Sequence, residues 1–303
     1  MQNNSIKVIT WNILNPNPDI VKVLLQGIVN NSKKLAEIDY KRYIKYRKYN
    51  ILKIIDKWFK KYKNNLIICL QEVCKDMYNE LLAIYGNNRI KINTIVGTKD
   101  DYRCTLISED LKFIKSYDII LQGDNVKKNA LCTFVKTTNE IIIKCINLHL
   151  YYKWNHNLKK ILKNILLDLK NPNENIIICG DFNKPFETIY DFINEPNKQL
   201  KAISINNKQF TSFNTRLKKI RNNKHYSMQV IDHIIIGNGF QFKNTPKIIS
   251  KVNDLEIFYN LVKIENIVKT ENGKTIENKW NSRIGKDISD HKPVSARIIF
   301  RSF

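Results

Sequence analysis

No two of the six cysteines, Cys69, Cys74, Cys104, Cys132, Cys145 and Cys179, stand in a CxxC pair. Neither a zinc spacing nor a redox motif is therefore suggested, and free thiols suit a reducing compartment. Cys69, Cys132, Cys145 and Cys179 lie in apolar runs, where a thiol behaves as a small hydrophobe. No apolar run approaches the roughly 18 residues that would suggest a membrane span. The stretch MQNNSIKVITWN lacks the long apolar segment of a signal peptide, and RIIFRSF carries no prenylation box. These absences predict an intracellular protein, cytoplasmic or nuclear, not secreted and without integral membrane association. No Gly/Ser-rich linker, internal repeat or long low-complexity tract divides the chain. One domain over residues 1–303 is the economical expectation, and a monomer with it.

Acidic residues are also scarce: 28 Asp and Glu stand against 51 Lys and Arg, for a net charge of +23. A field of that sign attracts polyanions, nucleic acid first and an anionic membrane surface second. The chain is also crowded with Lys, Asn and Ile, the signature of AT-rich coding, which supplies surface lysines with no partner in view. Both readings stand at this point. With 43% hydrophobic residues the chain has ample material for a core.

Short apolar, β-branched runs recur: IKVITWNI (6–13), NLIICLQEV (65–73), ALCTFVK (130–136), EIIIKCINLHL (140–150), NIIICGDFN (175–183) and QVIDHIII (229–236). Their length and composition predict strands. The near-continuous IIIC and LIIC predict central strands covered on both faces. Leu158, Ile161, Leu162, Ile165, Leu166 and Leu169 follow helical spacing, ended by Asn171-Pro172. A second helix is predicted over about 41–61. Residues 214–228 read as an exposed basic loop, and 266–289 as a hairpin or a disordered excursion.

Polar and ionisable residues collect at strand ends. Asn12 follows KVITW, Glu72 follows IICLQ and His149 follows KCINL. Asp181 and Asn183 follow IIICG, Asp232 and His233 interrupt QVI–III, and Asp290 and His291 precede the last strand. Strand carboxyl ends are where α/β sheets place their sites. Charges at the ends of buried runs need partners, and a metal ion is one. Taken singly, each has a plain structural explanation as a cap, a turn or a satisfied histidine.

Together, ITWNIL, LQEV, INLHL, GDFN, IDHI and SDHKPV resemble the successive motifs of the endonuclease/exonuclease/phosphatase superfamily, in its order, over residues 8–294. GDFN followed by Pro185, Tyr190 and Phe192 is similar to the family spacing as well. The resemblance implies a four-layer α/β sandwich, two packed mixed β-sheets flanked by helices. It implies an enzyme, a Mg²⁺-dependent phosphodiesterase, with Mn²⁺ as a substitute. Glu72, with Asn12 and Asp290, would hold the metal. Asp181, assisted by Asn183, would activate water. His291, fixed by Asp232, and His149 would contact the phosphate.

Leu14 stands where the abasic-site endonuclease branch carries an acidic residue, and WNIL is more similar to the deadenylase and 2′-phosphodiesterase branches. The expected substrate is therefore RNA or another single-stranded nucleic acid. Arg216, Lys218, Lys219 and Arg221 are expected to grip its backbone. Tyr40, Tyr43, Tyr46 and Tyr49, interleaved with Lys41, Arg42, Lys45, Arg47 and Lys48, suit either base stacking or a helix packed on the sheet. The alternatives are an abasic-site DNA endonuclease, a phosphoinositide or sphingomyelin-type phosphohydrolase, and an inactive nucleic-acid-binding scaffold.

Overall fold

Successive side chains of a strand point to opposite faces, and β1 (Ser5–Asn12) sends them into two different cores. Ile6 and Val8 join one apolar cluster, Ile9 and Trp11 another. In β2 (Leu66–Val73), Ile67 and Cys69 divide in the same way from Leu66, Ile68 and Leu70. Burial on both faces is why these segments read as continuous apolar runs. The computed structural model describes residues 5–14, 40–93, 101–123, 126–152, 154, 162, 164–165, 167, 169, 175–193, 200–203, 212–220, 223–249, 251–252, 255–256, 269–271, 274–276, 291 and 293–301.

The first sheet runs β13 (Phe240–Phe242), β19 (Val294–Phe300), β1, β2, β4 (Tyr102–Ile107), β3 (Ile90–Ile92), with β14 (Lys247–Ile248) also on β19. The second runs β5 (Lys112–Gly123), β6 (Val126–Lys136), β7 (Ile142–His149), β8 (Ile176–Asp181), β12 (Asp232–Ile236), β9 (Lys201–Ala202). Each sheet holds one parallel pair, β1–β2 and β7–β8, among antiparallel neighbours. The two pack face to face over a core that draws on residues from Ile6 to Ile298.

Helices α1 (Tyr40–Lys61) and α2 (Lys75–Tyr85) cover the outside of the first sheet through Ile51, Ile54, Trp58, Met77 and Leu81. The outside of the second packs against Ile189 of α3 (Phe186–Ile193) and against Leu162, Ile165 and Leu169. Of the predicted stripe, Leu162 and Ile165 are helical, as are Asn164 and Leu167 beside them, while Leu158, Ile161 and Leu166 lie outside the described residues. The expected sandwich is the observed one, with helices on the described parts of both outer faces. No helix among the described residues is long and apolar enough to cross a membrane.

Residues 214–228 are not the expected loop. β10 (Ser212–Ile220) and β11 (Asn223–Gln229) form an antiparallel hairpin. In SFNTRLKKI only Phe213, Leu217 and Ile220 are apolar, at no regular period of two, which is why the pattern misses the strand. Beyond it lie two smaller hairpins, β15 (Lys251–Val252) with β16 (Leu255–Glu256), and β17 (Lys269–Glu271) with β18 (Lys274–Ile276). The last of these lies in the 266–289 segment, whose other residues are outside the described set. All six cysteines are buried and none is joined in a disulfide.

Candidate active site

The carboxyl ends of both parallel pairs meet at one edge of the sandwich. β1 and β2 bring Asn12 beside Gln71, with Glu72 next. β7 and β8 bring His149 opposite Asp181, and β12 adds Asp232 on the other side of Asp181. Two backbone features shape this edge. Gly180 has φ 146°, and a Cβ there would lie 1.9 Å from the Leu148 carbonyl oxygen. Only glycine lets β7 approach β8 so closely just before Asp181. Glu72 has φ 55° and sits where the β2–β4 register shifts between Leu70 and Val73. A bulge of this kind re-aims a side chain, at a strain of about 1–3 kcal/mol.

Asp181 is the hub. Its Oδ2 accepts from Asn12 Nδ2 at 3.0 Å, and its Oδ1 accepts from the Asn183 backbone N–H at 2.7 Å. His149 Nε2 and His291 Nε2 stand 3.7 and 3.6 Å from the same Oδ2. Burial pushes the Asp181 pKa up and the Asp232 carboxylate adds to it. The two imidazoles and the Asn12 bond oppose the shift without cancelling it. Asn183, at φ 51°, spends its side-chain amide on the Leu150 carbonyl at 2.8 Å, so its backbone N–H serves Asp181.

Each imidazole has its own carboxylate behind it. Asp232 Oδ2 accepts from His291 Nδ1 at 2.9 Å, the expected pair. Trp11 Nε1 also donates to the His291 carbonyl at 3.0 Å. Behind His149 stands Asp101, 3.2 Å from Nδ1, a residue the motifs did not single out. Burial opposes ionisation of Asp101, but His149, Arg103 and Lys128 outweigh it and hold the carboxyl well below its usual range. Burial likewise works against the His149 imidazolium, and Asp101, Asp181 and Glu72 overcome it, so its pKa is raised. The only sequence signal for Asp101 is a pair of aspartates just before the strand Tyr102–Ile107.

Asn12 presents its amide nitrogen to the acids: Nδ2 donates to Glu72 Oε1 at 2.9 Å as well as to Asp181, while Oδ1 accepts from Leu14 N–H at 2.9 Å. His233 is buried and its pKa is lowered to about 4 by that burial. It supports the Asp181 turn as a neutral ring, donating from Nε2 to the Lys184 carbonyl at 2.9 Å and contacting Phe182 and Phe186. Asp290 and Arg221 lie outside the described residues. Arg216, Lys218 and Lys219 lie on β10, in the hairpin that leads through Val230 and Ile231 to Asp232.

The donor set suits a hard cation. Asp181, Asp232 and His291 offer ligand atoms within 4.8 Å of one another, and the Glu72 carboxylate, 19% exposed, faces them across the Asn12 amide. Oxygen-rich sites of this kind fit Mg²⁺ or Mn²⁺ better than soft metals.

No curated protein matches this sequence. Among solved structures, the endonuclease/exonuclease/phosphatase from Bacteroides vulgatus is similar over 98% of this chain and 99% of its own, at 14% identity and TM-score 0.63. The human Nocturnin catalytic domain with bound sulfate anion matches over 98% and 94%, at 17% identity and TM-score 0.56. TDP2 from D. rerio, complexed with single strand DNA product, matches over 97% and 98%, at 14% identity and TM-score 0.57. At these identities the likeness speaks for the fold. The family itself is carried by a model of the Endonuclease/Exonuclease/phosphatase family that matches residues 9–291. With nearly the whole sequence inside that match, the chain belongs to the Endonuclease/Exonuclease/phosphatase family, hydrolases of phosphodiester bonds.

Proposed function

We propose that the chain is a single-domain, Mg²⁺-dependent nuclease that cleaves single-stranded nucleic acid, RNA first. The observation that carries this reading is Asp181, a buried carboxylate of raised pKa placed between two imidazoles that each rest on their own aspartate. A phosphodiester is anionic, so charge at phosphorus must be neutralised before water can attack. Glu72, with Asn12 and Asp290, would hold the metal, which would supply Lewis-acid stabilisation when bound. Asp181, Asp232 and His291 lie close enough together to ligate a cation, but Asp181 already bonds to Asn12 and Asp232 to His291, and they serve as base and phosphate contact. Asp181, steadied by the Asn183 N–H, takes the proton of the attacking water. Its raised pKa makes it a better acceptor, for an effect of about 10²–10⁴ in rate. His291 and His149 donate from Nε2 to phosphate oxygens as charge develops, and Asp232 and Asp101 fix their tautomers.

The net charge of +23 supports a polyanionic substrate, and a single strand on one fold relative supports the choice among polyanions. The hairpin bearing Arg216, Lys218 and Lys219 supplies the backbone grip. The test is Mg²⁺-dependent cleavage of single-stranded RNA, poly(A)-tailed RNA, single-stranded DNA, abasic duplex DNA and a phosphoinositide, with Asp181→Asn as control. Cleavage of a single strand, lost in the variant, supports the reading. Turnover of the abasic duplex or the lipid alone overturns the substrate, and nucleic-acid binding without turnover replaces the enzyme by a scaffold.

A further inference from the structure

Arg47 belongs to the basic, tyrosine-rich stretch that opens α1, yet it is not part of a surface for nucleic acid. It is 1% exposed, and a guanidinium so deeply placed must have specific partners. Its Nη2 donates to the carbonyl of Ile13 at 2.9 Å and to that of Leu14 at 2.8 Å. Its neighbours in the stretch are differently placed. Lys48 binds Asp76 and Glu80 of α2, and Tyr49 is exposed under Lys53.

The two carbonyls that Arg47 holds belong to the turn directly after Asn12. Leu14 takes φ 55° there, a conformation that costs a leucine free energy unless its surroundings enforce it. In that turn the Leu14 N–H points back to Asn12 Oδ1. With Oδ1 turned to that N–H, Asn12 presents Nδ2 to the site, where it donates to Glu72 and Asp181 together. The link is continuous: guanidinium, two carbonyls, a strained turn, one amide, two carboxylates. The same helix steadies the other end of the site. Trp58 packs edge-on against Trp11 at 5.5 Å, and Trp11 holds the His291 carbonyl.

We propose that Arg47 is a positioning residue for phosphodiester cleavage, its buried guanidinium on α1 keeping the turn after β1 in the one conformation that turns the Asn12 amide onto Glu72 and Asp181. The proposal rests on the site reading given above. Lysine cannot replace it in full, because an ammonium on a shorter stem is a point donor without the planar fork. Arg47 touches no substrate, so its loss acts on the chemical step and leaves ground-state binding nearly intact.

The experiment measures kcat and KM on a labelled single-stranded RNA oligonucleotide with Mg²⁺ for the wild type, Arg47→Ala, Arg47→Lys, Asn12→Ala and the double variant Arg47→Ala/Asn12→Ala. Near-UV circular dichroism checks the fold of each. Arg47→Ala is expected to lower kcat about 10²-fold, the scale of an ångström of misplacement, with KM within about threefold. Added guanidinium should restore part of the loss, and Arg47→Lys should fall between. In the Asn12→Ala background, removing Arg47 should cost little more, because the two act in one line. Equal losses in both backgrounds, or a wild-type kcat in Arg47→Ala, would overturn the proposal. If Arg47→Ala does not fold, Arg47→Lys with and without Asn12→Ala decides by the same criterion. Asp181→Asn separates the two levels: turnover that survives it, or absent from the wild type, sinks the site reading and not the clamp alone.

Discussion

His233 ties the pH dependence of stability to one buried ring. Its pKa falls from 6.5 to about 4 because the pocket of Phe182, Phe186 and the Lys184 carbonyl gives the imidazolium no compensating charge strong enough to offset burial. The unfolded chain takes up a proton there near pH 6.5, whereas the folded chain does so only near 4. Between those values the unfolded state binds more protons, so stability falls as pH falls and is fully present above the upper value. A shift of about 2.5 units at 1.36 kcal/mol each amounts to about 3 kcal/mol. The comparison variant is His233→Gln, whose amide N–H can still donate to the Lys184 carbonyl. Urea unfolding followed by tryptophan fluorescence should show the wild type losing about 3 kcal/mol relative to the variant between about pH 7.5 and 4. A wild-type-to-variant difference that stays constant across that range refutes the reasoning.

Glu72→Ala, Asp181→Ala and His291→Ala should each lower turnover by about 10²-fold or more while near-UV dichroism stays native; wild-type rates in all three would discard the site. Asp101→Asn should lower kcat and change the shape of its pH profile through His149, and an unchanged profile would make Asp101 a purely structural partner. Gly180→Ala should cost at least ~3 kcal/mol of stability, because neither the φ of 146° nor the 1.9 Å approach to Leu148 admits a Cβ; a near-native denaturation midpoint would contradict that packing. Lys218→Ala with Lys219→Ala should raise KM for a single-stranded nucleic acid and flatten its salt dependence by about 1.4 units of slope, and an unchanged slope returns the hairpin to plain surface.

The parts of the site that were legible in the sequence share one cause. Asn12, His149 and Asp181 each end a strand buried on both faces and Glu72 stands one residue from the end of another, so an apolar run that stops at a polar residue announces them. Asp101 precedes its strand, and its partner His149 arrives from the other sheet, so no local pattern connects them. The role of Arg47 was hidden for the same reason, since its partners lie 33 and 34 residues away and nothing in YKRYIKYRKY sets one cation apart from the others. α2 carries a helical stripe, Met77, Tyr78, Leu81, Leu82 and Tyr85, but at 11 residues it is short enough to be overlooked beside the longer apolar runs. Apolar runs and one helical stripe announce an α/β chain, because strands packed among three apolar clusters leave strong patterns; the four-layer sandwich followed from the resemblance of the six motifs. The order of strands could not, because pairing across distant segments leaves none.

The seam between the sheets runs through the middle of the site. Asn12 and Glu72 come from the first sheet, His149, Asp181 and Asp232 from the second, His291 from the segment that leads into β19, and behind them Gln71 Nε2 reaches across to Asn147 Oδ1 at 2.7 Å. Every backbone ladder among the described residues lies within a sheet, so a slight sliding of one sheet over the other would leave those ladders whole while parting Asn12 from Asp181 and Gln71 from Asn147. Catalysis thus works as a vernier for the alignment of the two halves. Under mild denaturant, turnover should fade while the far-ultraviolet spectrum is still that of the native protein.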